Sequence, residues 1–204
     1  MSEHDDASEA RTLGADYFDK VYAAADDPWD FETSPYEAAK YTATLNALPR
    51  PRYHNALEIG CSIGVLTERL ASHCDALLSL DVADYALERA RRRTLHLPRV
   101  AFKRMQVPRD YPDGTFDLTV LSEVGYYLSH ADLARALDLV VAHAAPGGHI
   151  LLVHWTPVVH DYPLTGDEVH EQAHAAARAY GLRCLLSTRE ERYRLDLFEK
   201  SSPT

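Results

Sequence analysis

Leu57-Glu58-Ile59-Gly60-Cys61-Ser62-Ile63-Gly64 passes from buried apolar residues through a tight glycine turn into the start of a helix. The strand read here is short, residues 56–59. Gly60 lets the backbone approach a ligand closely, and Gly64 lets the following helix pack tightly on the strand. In an open α/β sheet, ligands bind beyond the carboxyl ends of the strands where the strand order reverses. Asp81 ends the next strand, seventeen residues after Gly64. A carboxylate there can accept both hydroxyls of an adenosine ribose.

Working outward, strands alternate with helices. A helix is expected over 65–73, a strand over 77–80, a helix over 85–94 and a weak third strand over 100–104. A fourth strand follows at 116–121 and a helix at 132–144. Pro146-Gly147-Gly148 then turns the chain into a fifth strand, 150–154. After a helix at 167–180, the segments 182–188 and 193–198 flank Arg189-Glu190-Glu191-Arg192 as a hairpin. Upstream, residues 11–48 are helical, broken around Asp26-Asp27-Pro28-Trp29, with Ser34-Pro35 as cap and first-turn proline. Pro49-Arg50-Pro51 is a stop, and residues 1–10 are expected to form a disordered tail. The expectation is one α/β domain over 11–204 with a Rossmann-like, seven-stranded, mostly parallel sheet. It carries a C-terminal antiparallel strand, helices on both faces and an N-terminal helical lid over 11–50.

Composition bounds the function. The 204 residues, 46% of them hydrophobic, suffice for one substantial core. A net charge of -10 sets the whole-molecule field against nucleic acid and anionic membrane. Cys61, Cys74 and Cys184 are odd in number and lack metal-ligand spacing, which fits a reduced compartment. The acidic start MSEHDDASEAR is unlike a signal peptide, and the apolar runs are far short of a bilayer span, so a cytoplasmic location is expected. The oligomeric state is not legible.

Three readings of the glycine turn compete. A dinucleotide site needs a small middle glycine, but Ser62 holds that place, and Glu58 would repel phosphates while suiting a cationic sulfonium. A nucleophile elbow, G-x-S-x-G, is matched literally by Gly60-Cys61-Ser62-Ile63-Gly64, with Asp117 and His154 following in hydrolase order. Against it, no strands and no glycine-rich oxyanion segment precede the elbow. A purely structural turn would leave Asp81 uncorrelated.

Glu58-Ile59-Gly60-Cys61-Ser62-Ile63-Gly64, Asp81, Phe116-Asp117-Leu118 and Pro146-Gly147-Gly148-His149-Ile150 together resemble the class I S-adenosylmethionine methyltransferases. Asp26-Asp27-Pro28-Trp29, Leu70-Ala71-Ser72-His73-Cys74 and Glu123-Val124-Gly125-Tyr126-Tyr127-Leu128 extend the likeness to the rhizobial nodulation N-methyltransferases, which methylate the free amine of a deacetylated chitooligosaccharide. That likeness fades in the last quarter. There, His154-Trp155 and Gly166-Asp167-Glu168-Val169-His170 resemble methyltransferases found alongside sugar deacetylases. The resemblance implies S-adenosylmethionine as cofactor, with the Gly60 backbone at its methionine part and Asp81 on its ribose. Gln106 takes the position that accepts the adenine amino group, and Met105 and Val107 sandwich the ring. Glu58, Ser62, Gly64 and Ser122 complete the expected cofactor set.

For the chemistry, Glu123 follows the fourth strand at the carboxyl edge, where it can anchor the cofactor or orient an acceptor amine. His154 follows the fifth strand and suits a general base, though a histidine at a strand end serves structure as readily. Tyr126 and Tyr127 offer faces to a cation or sugar ring. Trp29, Tyr36 and Trp155 are expected at a lid and pocket rim. His170-Glu171-Gln172-Ala173-His174 matches H-E-x-x-H formally, but on a late Ala-rich helix the expectation is a solvated face and no metal. Arg89, Arg91, Arg92 and Arg93 are read as a solvated helix end. The expected activity is N-methylation of a small-molecule acceptor, an amino sugar or similar amine. The alternatives are an O-methyltransferase on a sugar or natural product, a serine hydrolase using Ser62, and a silent cofactor-binding module.

Overall fold

The computed structural model describes residues 11–202, so the tail expected at 1–10 lies outside them. Two helices come first, α1 (Ala15–Ala24) and α2 (Pro35–Asn46). Ser34 caps α2, its hydroxyl accepting from the Glu37 N–H with Pro35 in the first turn.

The sheet alternates with helices from there on. Its elements are β1 (Tyr53–Ile59), α3 (Val65–Leu70), β2 (Cys74–Asp81), α4 (Asp84–Arg93), β3 (Val100–Arg104), β4 (Phe116–Ser122), α5 (His130–His143), β5 (Ala144–Trp155), α6 (Gly166–Tyr180), β6 (Arg183–Arg189) and β7 (Tyr193–Glu199). Two single 3₁₀ turns, Ala71–His73 and Gly125–Tyr127, adjoin α3 and β4. The helix expected over 65–73 thus tightens after Leu70. Strand β5 starts six residues earlier than expected, because Pro146-Gly147-Gly148 stays within the strand instead of preceding it.

The seven strands run in the order β3-β2-β1-β4-β5-β7-β6. All pairings are parallel except those of β7, which lies antiparallel between β5 and β6. Period-2 alternation splits the core between two faces. Leu57, Ile59, Ile150, Leu152 and Phe198 pack with α5 and α6 on one side. Ala56, Leu118, Val120, Leu151, Val153, Leu195 and Leu197 pack with α3 on the other. The order reverses between β1 and β4, so the crevice opens at the carboxyl ends of these two strands. No helix among the described residues is long and apolar enough to cross a membrane.

Candidate active site

The loop after β1 is built from three successive constraints. Gly60 has φ +84°, and a Cβ there would lie 1.9 Å from Val124 Cγ2. Ser62 also adopts a left-handed φ of +48°, a conformation that costs a non-glycine residue and persists only where its surroundings impose it. Gly64 has φ +80°, and a Cβ there would meet the Ala90 backbone at 2.9 Å. Gly64 is therefore the packing glycine of α3 on α4 and does not line the cavity.

Asp81 ties the turn to β2. Its carboxylate accepts from the Ser62 N–H (2.8 Å) and the Ala83 N–H (3.0 Å). Burial raises its carboxyl pKa, and the backbone donors pull it back. A carboxylate has about four lone-pair positions, so Asp81 retains acceptor capacity toward the crevice.

Gly60, Ser62, Asp81, Met105, Gln106 and Val107 all line one cavity of about 410 Å³. Glu123, Trp29, Tyr36, Tyr126, Tyr127 and Trp155 line the same cavity. Besides Gly64, two more expected cofactor residues, Glu58 and Ser122, lie outside it. Glu58 points away beneath the turn, its Oε2 accepting from Thr67 Oγ1 (2.6 Å) and Ser79 Oγ (2.7 Å). Fully buried, its carboxyl is pushed up to about 7, which corrects its reading as a partner for a sulfonium. Ser122 is buried at the end of β4, outside the cavity wall.

Glu123 is the most constrained of the polar residues. It has φ +57°. Its Oε2 accepts from Tyr126 Oη (2.6 Å) and the Trp155 N–H (2.9 Å), and its Oε1 from Lys40 Nζ. Lys40, on α2, also donates to Glu37 Oε1 at 2.9 Å and is 2% exposed. Burial alone would lower the lysine pKa, but Glu123 and Glu37 outweigh it and hold the group above its ordinary value. The ammonium therefore stays charged. Beside it, Tyr36 Oη is buried without a hydrogen-bond partner. Lys40 was missed in sequence, because an i, i+3 pair with Glu37 reads as an ordinary solvated helix pair.

The aromatic wall has defined contacts. Tyr126 stacks on Tyr162 with ring centroids 5.1 Å apart, and Tyr36 meets Trp155 edge-on at 5.5 Å. Trp29 stacks on Phe31 and meets Tyr22 edge-on, while Tyr22 Oη lies 2.6 Å from Ser62 Oγ. The N-terminal segment is fastened from below. Tyr85 and Arg89 bond Asp26, and Arg89 and Arg93 bond Glu32. Arg92 pairs with Glu88. This corrects the reading of Arg89–Arg93 as a merely solvated helix end.

His154 does not reach the cavity. It is wholly buried, its Nε2 accepting from the Gly125 N–H (3.0 Å) and its Nδ1 lying 3.1 Å from His170 Nε2. Burial, then the His170 and Lys40 charges, lowers its pKa well below the ordinary value. The general-base reading of His154 is corrected, since both ring nitrogens are engaged away from the crevice. The solvated-face reading of His170 falls with it, because that side chain is also fully buried. Among the described residues no three His, Cys, Asp or Glu side chains are arranged so that they could hold a metal ion.

The hydrolase reading fails on geometry. Asp117 accepts from the His54 and Asn55 N–H groups, at the far end of β1 from Ser62. Register pairs Ala56 with Leu118 and Ile59 with Leu121, so Asp117 sits roughly 13 Å down the strands from the turn. With His154 turned inward as well, no triad forms.

A parallel sheet closed by an antiparallel β7, with a glycine turn after β1 and a carboxylate ending β2, is the fold of the class I methyltransferases. Within that class, the chain belongs to the nodulation protein S (NodS) family, whose model matches residues 15–154. It is 37% identical to nodulation protein S of Rhizobium tropici over 130 residues, 63% of this chain and 55% of the relative. Against nodulation protein S of Sinorhizobium fredii the identity is 34% over 130 residues, 63% of this chain and 60% of the relative. The chain thus spans little more than half the length of these curated relatives. The crystal structure of N-methyltransferase NodS from Bradyrhizobium japonicum WM9 in complex with S-adenosyl-L-homocysteine is similar, with a TM-score of 0.79 and 27% identity. That match covers 91% of this chain and 97% of the other.

Proposed function

We propose that this chain is an S-adenosylmethionine-dependent methyltransferase that methylates the nitrogen of a small amine, an amino sugar or similar acceptor. The observation that carries the reading is Glu123. It is a carboxylate forced into a left-handed backbone, fixed by Lys40, Tyr126 and the Trp155 N–H, and set in an aromatic cavity beside the Gly60 turn. The identity of the NodS relatives supports the same reaction class.

The residues at the turn fit that cofactor. A side chain at Gly60 would collide with Val124, so the turn presents bare backbone to the cavity, and Asp81 keeps acceptor capacity for a ribose. Met105 and Val107 provide apolar faces for an adenine, with the Gln106 amide oxygen as acceptor for its amino group. When bound, the cofactor supplies an electrophilic methyl on a sulfonium, so the protein's work is alignment and exclusion of water. The acceptor nitrogen attacks with its lone pair, and an ammonium acceptor must therefore first release a proton to solvent. Glu123 accepts a hydrogen bond from the remaining N–H and aims the lone pair. Three donors already hold its carboxylate in place, which suits it to orienting the acceptor. Tyr126, Tyr127 and Trp155 cover the reacting atoms and offer ring faces to a sugar. The three free thiols accord with a cytoplasmic setting, and the net charge of -10 with a partner that is neither nucleic acid nor membrane.

The test is a mass-spectrometric panel of amino sugars, simple amines and matched hydroxyl-only acceptors. Amines are expected to gain one methyl mass, with the rate falling in acid as the acceptor protonates. Methylation of hydroxyl-only acceptors, with amines untouched, would overturn the nitrogen assignment.

A further inference from the structure

Beneath the Gly125–Tyr127 turn lies a buried chain of polar groups that methyl transfer does not use. His154, His170 and Asp196 come from β5, α6 and β7, and each is 0% exposed. His170 Nδ1 is 2.6 Å from Asp196 Oδ2, and His154 Nδ1 is 3.1 Å from His170 Nε2. His154 Nε2 then accepts from the Gly125 N–H at 3.0 Å.

Only one arrangement of protons satisfies every link. A carboxylate accepts only, so His170 must carry its proton on Nδ1, leaving Nε2 as acceptor. His154 must therefore carry its own proton on Nδ1, leaving Nε2 for the Gly125 N–H. The direction of the chain is imposed from Asp196 inward. Gly125 is adapted to this contact, since a Cβ there would come 2.5 Å from Val169 Cγ1 and 3.0 Å from His154 Nε2. The turn it holds carries Tyr126 one residue on and the left-handed Glu123 two residues back.

We propose that Asp196, His170 and His154 form a positioning relay that locks the Glu123–Tyr126 turn in the geometry needed by the acceptor. The proposal rests on the methyl-transfer reading for its kinetic consequence, but not for its tautomers. Charged and titratable neighbours face the relay at both ends. At Asp196 they are Arg194 Nε (3.3 Å) and His174 Nε2 (3.0 Å). At His154 they are Lys40, which acts on it through space, and the Tyr126 ring, edge-on at 5.5 Å. An added proton on His154 would turn its Nε2 from acceptor to donor against the Gly125 N–H and break the lock. Burial of both imidazoles opposes that proton, while Asp196 favours it on His170.

Nitrogen-15 NMR of histidine-labelled protein reads the relay without turnover. Nδ1–H tautomers are expected at both His154 and His170, and an Nε2–H tautomer at His154 would overturn the proposal. In Asp196→Asn, removal of the negative charge should move protonation of the histidine pair to lower pH. An unmoved titration would count against the relay. Kinetically, His154→Leu deletes the acceptor, whereas His154→Gln keeps an oxygen near the Nε2 position. The leucine variant is expected to lose roughly 10²-fold in acceptor turnover, with the glutamine variant recovering much of it and S-adenosylhomocysteine affinity unchanged in both. Equal loss in both variants, or loss of cofactor affinity in step with turnover, would reduce the chain to ordinary core structure. If the tautomers are as expected and the wild type binds S-adenosylhomocysteine but methylates no amine, the amine reading fails while the relay stands.

Discussion

At Asp81, a single carboxylate closes the turn through two backbone N–H groups and still faces the cavity. Hydrogen bonds to a charged group contribute about 1.5–3 kcal/mol, so Asp81→Ala is expected to weaken S-adenosylhomocysteine binding by roughly 10- to 100-fold. Titration calorimetry checks this. Lys40 presents the opposite problem, a buried cation between the buried Glu37 and the half-buried Glu123. Its replacement by methionine leaves Glu37 and Glu123 without the cation between them, with only the Tyr126 and Trp155 donors left on Glu123. Breaking such a pair costs about 3–5 kcal/mol, and the urea midpoint of Lys40→Met should fall accordingly. Adding Glu37→Gln should restore part of the loss, and a double variant as unstable as the single would refute the electrostatic explanation. Asp81 was legible in sequence because its place depends on spacing along the chain. Lys40 and the inward turn of His154 were not, since both depend on which residues tertiary packing brings opposite them.

Among the elements, the α3–α4 contact depends on the absence of a side chain at Gly64. Gly64→Ala adds a methyl 2.9 Å from the Ala90 backbone at a left-handed φ, and overpacking of this kind costs about 1–3 kcal/mol. The thermal midpoint should fall by several degrees, with the cavity chemistry intact. The fastening of the 26–32 segment to α4 works differently. Arg89, Arg93 and Glu32 are partly exposed, and such pairs contribute about 0–1 kcal/mol each. Because Glu32 makes two such pairs, Glu32→Gln should speed S-adenosylhomocysteine release by no more than about 30-fold, an effect that stopped-flow measurements should find shrinking in high salt. Element type and order were readable throughout, because alternating apolar strands and capped helices carry local signals. Ser34-Pro35 opened α2 where expected. Extent was less readable. β1 reaches back to Tyr53 and β5 to Ala144, through polar and glycine residues whose place in the sheet is imposed by neighbouring strands.

For the whole molecule, Glu58 links the fold to pH. Its carboxyl titrates near 7 in the native protein, against an ordinary value of 4.5, because burial outweighs the Thr67 and Ser79 bonds. The native state then binds more protons than the unfolded state between those values, so this group lowers stability as pH rises from about 4.5 to 7. The cost levels off above that at roughly 3 kcal/mol. Asp167, Glu168 and Asp196 are held below their ordinary values and act in the opposite direction at lower pH. Glu58→Gln removes the titrating carboxyl. Its denaturation midpoint should vary less than that of wild type across this window, and parallel curves would show that Glu58 is not the group responsible.

The placement of β7 also bears on how the molecule is made. It follows β5 and β6 in order of synthesis, yet lies between them. A nascent chain leaving the ribosome must hold β5 with one row of backbone donors and acceptors bare until β7 emerges. Bare strand edges recruit other chains, so β7 acts as an internal chaperone for the strands made before it. It also brings Asp196, and with it the polarity of the buried histidines, only after β1 to β5 have been made.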